Sequence, residues 1–225
     1  MNVMLLAAGL GKRLRPITNT IPKPLVQVAG KALIEHHLEN IKAAGFNNVV
    51  INVSYLGELI KNHLDDGSRF GLSIQYSEEG PEPLETAGGI INALPLLGQE
   101  PFLVVNADIW CEHSLSMANI SSEKLAHLVL VDNPEHNRDG DFAYEFGKVY
   151  NDGQHRLTFS GIGIYRPELF KNIKDKKISL APILRTAVDQ ELVSAEYYTG
   201  KWFDIGTKER LEETDEYVSK HQKRP

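Results

Sequence analysis

Short unbroken apolar runs alternate, through the first half of the chain, with stretches whose apolar residues recur every three or four positions. Val3-Met4-Leu5-Leu6, Val49-Val50-Ile51 and Phe102-Leu103-Val104-Val105 are of the first kind. Runs without polar alternation predict strands buried on both faces. Leu33, Ile34, Leu38 and Ile41 are of the second kind and predict a helix over 32–44, stopped by Gly45. Similar spacing predicts helices over 56–64 and 86–97, the latter broken near its end by Pro95, with a strand over 72–76 between them. The rhythm changes after a further strand at 127–131. Residues 132–141 are polar and turn-rich, 142–156 reads as a hairpin turning at Asn151-Asp152-Gly153, and 158–165 as another strand. Helices at 167–173 and 180–188, strands at 192–198 and Trp202-Phe203, and a helix from Thr207 complete the series.

Strands alternating with helices of this length imply right-handed crossovers and a mostly parallel sheet covered on both faces, an α/β fold. In such sheets ligands sit beyond the carboxyl ends of the strands. Two features stand there. The loop after the first strand reads Ala7-Ala8-Gly9-Leu10-Gly11-Lys12-Arg13, and Lys23-Pro24 follows. Gly9 and Gly11 let backbone N–H groups turn toward anionic oxygens without a side chain in the way. Asp108 ends the strand 101–105.

Charge strengthens the first of these. The net charge is -6, yet Lys12, Arg13, Arg15, Lys23 and Lys31 all precede the first acid, Glu35. An acidic chain with one purely basic end focuses positive potential on a local anion, and a pI near 5.8 argues against a nucleic-acid surface. Gly11-Lys12 is followed by Arg13, not Ser or Thr, so no Walker loop is present. Leu14 stands where a dinucleotide fingerprint needs its third glycine.

Asp204, in Trp202-Phe203-Asp204-Ile205-Gly206-Thr207, repeats the setting of Asp108: an acid closing an apolar strand. Each is poised for a hard cation, and each taken singly reads equally as a helix cap. His36 and His37 point about 100° apart on a helix, and the other histidines are scattered, so zinc is not expected. The single cysteine, Cys111, has no obvious base nearby and is expected to be a bystander. With one cysteine, no secretory profile and no run near the ~18 apolar residues of a membrane span, the expected compartment is the cytoplasm.

Residues 7–18 match Ala-Ala-Gly-x-Gly-x-Arg-Leu-x-Pro-x-Thr in full, and Lys23-Pro24 follows. On these motifs the chain resembles the sugar-nucleotidyltransferase (nucleotide-sugar pyrophosphorylase) family from Met1 to about Val218. The resemblance implies a Rossmann-like three-layer fold of the GT-A-like type, with a mostly parallel mixed central sheet and a small sugar-binding β sub-structure. It implies one domain over 1–225: mainly nucleotide-binding in 1–110, mainly sugar-binding in 111–206, with a closing helix at 207–219. The implied reaction joins an NTP to a sugar 1-phosphate and releases pyrophosphate. Lys23 and Arg13 are the implied catalytic cations, and Asp108 with Asp204 the implied Mg²⁺ ligands. Ala8, Gly9, Leu10, Gly11, Lys12, Glu79 and Gly88 are the expected nucleotide contacts, although Gly88 also reads as a tight packing position.

On the sugar side the resemblance points to Asn106, Gly140, Asp141, Gly147, Ser160 and Gly161. One departure stands out: the Glu-Lys-Pro that precedes the sugar-floor strand in many relatives is absent, leaving Lys148, Arg156 or Arg138 as substitutes. Val131-Asp132-Asn133-Pro134, Gly140-Asp141-Phe142 and Phe159-Ser160-Gly161-Ile162-Gly163 resemble the branch that uridylylates N-acetylmuramate 1-phosphate with UTP in peptidoglycan recycling. Mannose 1-phosphate with GTP, or glucose 1-phosphate with dTTP or UTP, are the alternatives, and a non-catalytic nucleotide-sugar-binding protein is a remoter one. Neither nucleic acid nor membrane is an expected partner, and a monomer or small homo-oligomer is expected.

Overall fold

The computed structural model describes residues 1–115 and 120–221. In chain order it contains β1 (Val3–Leu6), β2 (Gln27–Val28), β3 (Lys31–Ala32), α1 (Leu33–Ala43), β4 (Asn48–Val53), α2 (Gly57–Leu64), β5 (Ser73–Glu78), α3 (Glu85–Leu97) and β6 (Phe102–Asn106). There follow β7 (Ile109–Cys111), β8 (Ala126–Val131), β9 (Phe142–Glu145), β10 (Lys148–Tyr150), β11 (Arg156–Tyr165), α4 (Leu180–Asp189), β12 (Val193–Tyr197), β13 (Trp202–Asp204) and α5 (Lys208–His221).

The main sheet runs β10-β9-β11-β6-β1-β4-β5, with β8 on β11 and β12 on β8. Strands β6, β1, β4 and β5 are parallel, whereas β11 runs antiparallel to β6, β8 and β9. The parallel strands are apolar on both faces because both are covered. Val3, Leu5, Val49, Ile51, Leu103 and Val105 pack with α1 and α2 residues such as Leu38 and Ile60. Met4, Val50, Phe102 and Val104 face the other way, against Ile90 of α3 and Leu184 of α4. A smaller cluster of Val28, Leu33, Trp110, Ile205 and Val218 seats α5 beside β7.

Three readings of the sequence need correction: the helix expected over 167–173 is only a short 3-10 turn, Pro167–Phe170, and the other two concern a hairpin and a proline. The hairpin turns at Phe146-Gly147, not at Asn151-Asp152-Gly153, because β9 pairs with β10 through Lys148 and Glu145. Both turn residues have positive φ, 52° and 78°, the geometry of a two-residue hairpin loop. Helix α3 also continues through Pro95 to Leu97. Pro95 is exposed in the last turn, where its missing N–H frees one carbonyl near the helix end. The short β2, β3 and β7 carry too few residues to show periodicity. His36 and His37 are buried on α1, and burial pushes the His37 imidazole down to about 4, so it stays neutral at physiological pH. Cys111 is buried and its thiol is pushed up to about 12, which removes it as a nucleophile.

Candidate active site

Parallel register sets the position of the site. Leu6 of β1 lies beside Asn52 of β4 on one side and Asn106 of β6 on the other, so three strands end at one level. Leu6, Asn52 and Asn106, with Ala7 and Ala107 just beyond β1 and β6, line a cavity of about 310 Å³, a size suited to a small molecule. Its walls include Ala8, Gly9, Gly11, Lys12, Arg13 and Lys23 from the first loop. Glu79, Asn106 and Asp108 face them.

The glycine loop has local causes. Gly11 adopts φ +58°, and its carbonyl accepts bonds from the Thr18 hydroxyl at 2.8 Å and the Leu14 N–H at 2.9 Å. A Cβ at Gly11 would meet Thr18 Cγ2 at 2.9 Å, so a side chain there is excluded by both conformation and space. Gly9 is different: it is exposed and a Cβ there would meet nothing within 4 Å. Its role is to leave the loop open. Leu10 does not line the cavity.

Lys23 is drawn into the cavity by a short 3-10 turn, Lys23–Leu25, and is only 8% exposed. Its Nζ donates to Asp108 Oδ2 at 2.7 Å. A lysine buried this far needs a counter-charge, and Asp108 supplies it from the opposite wall.

Asp204 approaches from a separate two-stranded sheet. β13 lies antiparallel on β7 with Asp204 opposite Ile109, and the Ile205 N–H donates to the Asp108 carbonyl at 2.9 Å. Asp108, just before β7, lines the cavity, whereas Asp204, the last residue of β13, stands outside its lining beside Gly206, which does line it. Asp204 is gripped by Arg210 of α5 and lies 3.1 Å from His136 Nε2. Neither Arg210 nor His136 was visible as a site residue in the sequence, since both lie in charged, solvent-patterned segments. Among the described residues no group of three or more His, Cys, Asp or Glu side chains stands together in a metal-binding cluster.

Asn52 is a third group the sequence concealed inside an apolar strand. It is buried, accepts the Ala7 N–H at 2.7 Å and donates to Glu79 Oε1 at 2.5 Å. Glu79 Oε2 accepts the Leu84 N–H at 2.7 Å. This chain of bonds ties the ends of β1 and β4 to the loop before α3. It also explains Gly89, where a side chain would collide with Glu79.

Other expected contacts lie elsewhere. Gly88 is outside the cavity lining; a Cβ there would strike the Lys176 carbonyl, so the glycine serves helix packing. Asp141 accepts the Phe159 N–H at 2.8 Å, and Gly140 has φ +62° with Leu157 backbone close above it. Both hold the 132–141 loop to β11. Ser160 is buried, with its carbonyl accepting the Trp202 indole N–H at 2.9 Å. Gly161 does reach the site indirectly: a Cβ at its φ of +85° would meet Asn106 Nδ2 at 2.7 Å. Gly147 sits at the hairpin tip with nothing within 4 Å. Arg156 donates to the carbonyls of Asp139 and Asn151, both at 2.7 Å, and to those of Gly140 and Asp141. It is committed to the scaffold.

The chain is 49% identical over 222 residues to an N-acetylmuramate alpha-1-phosphate uridylyltransferase of Neisseria meningitidis, covering 95% of this chain and 96% of that one. A protein of the same description from Caulobacter vibrioides is 36% identical, covering 90% of each. Mannose-1-phosphate guanylyltransferase catalytic subunit beta of Danio rerio is 31% identical over 92% of this chain and 61% of its own length. A solved structure described as a glucose-1-phosphate thymidylyltransferase of Bacillus anthracis superposes with a TM-score of 0.87 at 18% identity, covering 100% of this chain and 98% of that one, a likeness of fold. The nucleotidyl transferase family model matches residues 2–221, and with two uridylyltransferases 49% and 36% identical over nine-tenths or more of their length the chain belongs to the sugar nucleotidyltransferases.

Proposed function

We propose that the protein transfers a uridylyl group from UTP to N-acetylmuramate α-1-phosphate, giving UDP-N-acetylmuramate and pyrophosphate, with Mg²⁺ as cofactor. The observation that carries the chemistry is the Lys23–Asp108 pair in the lining of the cavity that the glycine loop also lines. The sugar and base rest on the 49% identity to the Neisseria meningitidis uridylyltransferase.

The acceptor phosphate oxygen forms a bond to Pα as the bond from Pα to the bridging oxygen of the β-phosphate breaks. Both reactants are anions, so the work of the protein is to hold them in line and neutralise charge. Backbone N–H groups around Gly9 and Gly11 cradle the triphosphate, and Arg13 balances the departing phosphates. Lys23 stands between the α-phosphate and the acceptor phosphate. No general base is required, because the acceptor is already ionised at neutral pH. Asn52 and Glu79 brace the wall on which the nucleoside rests.

Asp108 and Asp204 form an all-oxygen donor set of the kind Mg²⁺ takes alongside phosphate oxygens. Bound there, the ion would supply Lewis-acid neutralisation of the reacting phosphates. The matching reaction class belongs to cytoplasmic peptidoglycan recycling, carried out by a monomer or small homo-oligomer. No helix among the described residues is long and apolar enough to cross a membrane.

The 31% identity to a mannose-1-phosphate guanylyltransferase supports a second reading with GTP and mannose 1-phosphate. Pyrophosphate release from four NTPs against N-acetylmuramate, mannose and glucose 1-phosphates tests both. UTP with the muramate ester is expected to give the highest kcat/KM. A higher value for another pair replaces this assignment, and nucleotide binding without release by any pair indicates a sensor.

A further inference from the structure

Gly206 lies on the cavity wall between two guanidinium groups from opposite ends of the chain. A Cβ on it would collide with Nη2 of Arg210 and would meet Cζ of Arg13 at 3.2 Å. Two like charges converging over a glycine are unfavourable unless an anion sits between them. Arg210 is presently balanced by Asp204, with the His136 ring 2.8 Å from Nη1. Arg13 is exposed and pairs with no carboxylate among the described residues. The seat therefore carries two guanidiniums and one carboxylate, and that carboxylate is one of the two proposed Mg²⁺ ligands.

Resting on the nucleotidyl-transfer reading, we infer that Arg210 is a second clamp on the leaving end of the triphosphate, paired with Arg13 across Gly206. As folded here, its guanidinium is held by Asp204. Once a divalent cation takes that carboxylate, the guanidinium is freed toward the β,γ-phosphates beside Arg13. A planar fork suits this task, since it holds two phosphate oxygens at once. The arrangement ties α5 to the state of the site: the helix carrying Arg210 is docked through Val218 on the cluster of Val28, Leu33, Trp110 and Ile205. The absence of a side chain at Gly206 is what lets the two arginines meet.

The test uses the full chain and inorganic pyrophosphate, titrated by calorimetry in the presence of Mg²⁺, with Mn²⁺ binding followed separately by electron paramagnetic resonance. Arg210→Ala is expected to bind pyrophosphate about ten- to hundred-fold more weakly, the size of one charge-assisted contact. The same variant should bind Mn²⁺ alone at least as tightly as wild type, because a competitor for Asp204 has gone. Arg210→Lys, which keeps the charge without the fork, should fall between Arg210→Ala and wild type for pyrophosphate. Unchanged pyrophosphate affinity in Arg210→Ala overturns the clamp and leaves the reaction assignment standing. Equal weakening of pyrophosphate and Mn²⁺ also overturns it, reducing Arg210 to a support for Asp204. A wild type that releases pyrophosphate from no substrate pair removes the reaction assignment and the clamp with it.

Discussion

The two halves of the sheet use the same residue types for opposite ends. In the parallel half, around β1, β4 and β6, glycines and charged groups line the cavity: Gly9 is open, and Lys23 pairs directly with Asp108. In the antiparallel half, around β9 and β11, Gly140, Asp141 and Arg156 are turned on one another and on backbone carbonyls. Parallel strands end together and must send their chains away over a helix, which leaves an open crevice above their tips. Antiparallel strands return through tight loops whose unpaired carbonyls need donors, and the local polar side chains supply them. A polar loop therefore marks function only where the sheet beneath it cannot take up its hydrogen bonds.

The comparison breaks first at the Lys23–Asp108 pair. Lys23→Ala and Asp108→Ala should each lower kcat by a hundred-fold or more while retaining a native circular-dichroism spectrum. A variant that keeps most of its turnover would show that the pair is scaffold, like its counterparts in the other half. Asn52→Ala sharpens the contrast, since it leaves the Ala7 N–H and one Glu79 oxygen without their partner. We expect a loss of ~1–3 kcal/mol in denaturant unfolding together with a raised KM for the nucleotide; a normal KM would place the base elsewhere.

Arg156→Ala probes the antiparallel half. Removing donors to four carbonyls should cost about 1–3 kcal/mol of stability, with kcat within a few-fold of wild type. The reverse outcome, an intact melting temperature with a large loss of turnover, would make Arg156 the replacement for the missing family lysine. The smallest effect is expected at Gly147→Ala, where φ is +78° and space is open, so only conformational strain of ~1 kcal/mol arises. Unchanged KM for the sugar phosphate would separate the hairpin tip from the sugar site, and a raised one would return Gly147 to it.

Much of the cavity around the glycine loop was legible in the chain. Val3-Met4-Leu5-Leu6 followed by glycines and cations names both a strand and what stands at its end. Asp108 after Phe102-Leu103-Val104-Val105 does the same. Asn52 was hidden because a lone polar residue in an apolar strand looks like an interruption. Its value arises from Glu79, some distance along the chain, and from the Ala7 N–H. The 132–141 loop and β11 show a related limit of local pattern. Gly140, Asp141 and Ser160 match family phrases, yet their hydrogen bonds are satisfied inside the loop and the strand.

Local pattern alone determined the α/β alternation, the buried strands, the glycine loop and the basic end, because each depends on periodicity or on neighbouring residues. The tertiary structure decided which of several cations meets an acid. Lys23 is held by Asp108 and Arg210 by Asp204, while Arg156 is drawn onto carbonyls. Electrostatic partnership falls off with distance in space and carries no trace in sequence separation, so only the register of β1, β4 and β6 and the docking of β13 on β7 could bring those groups together.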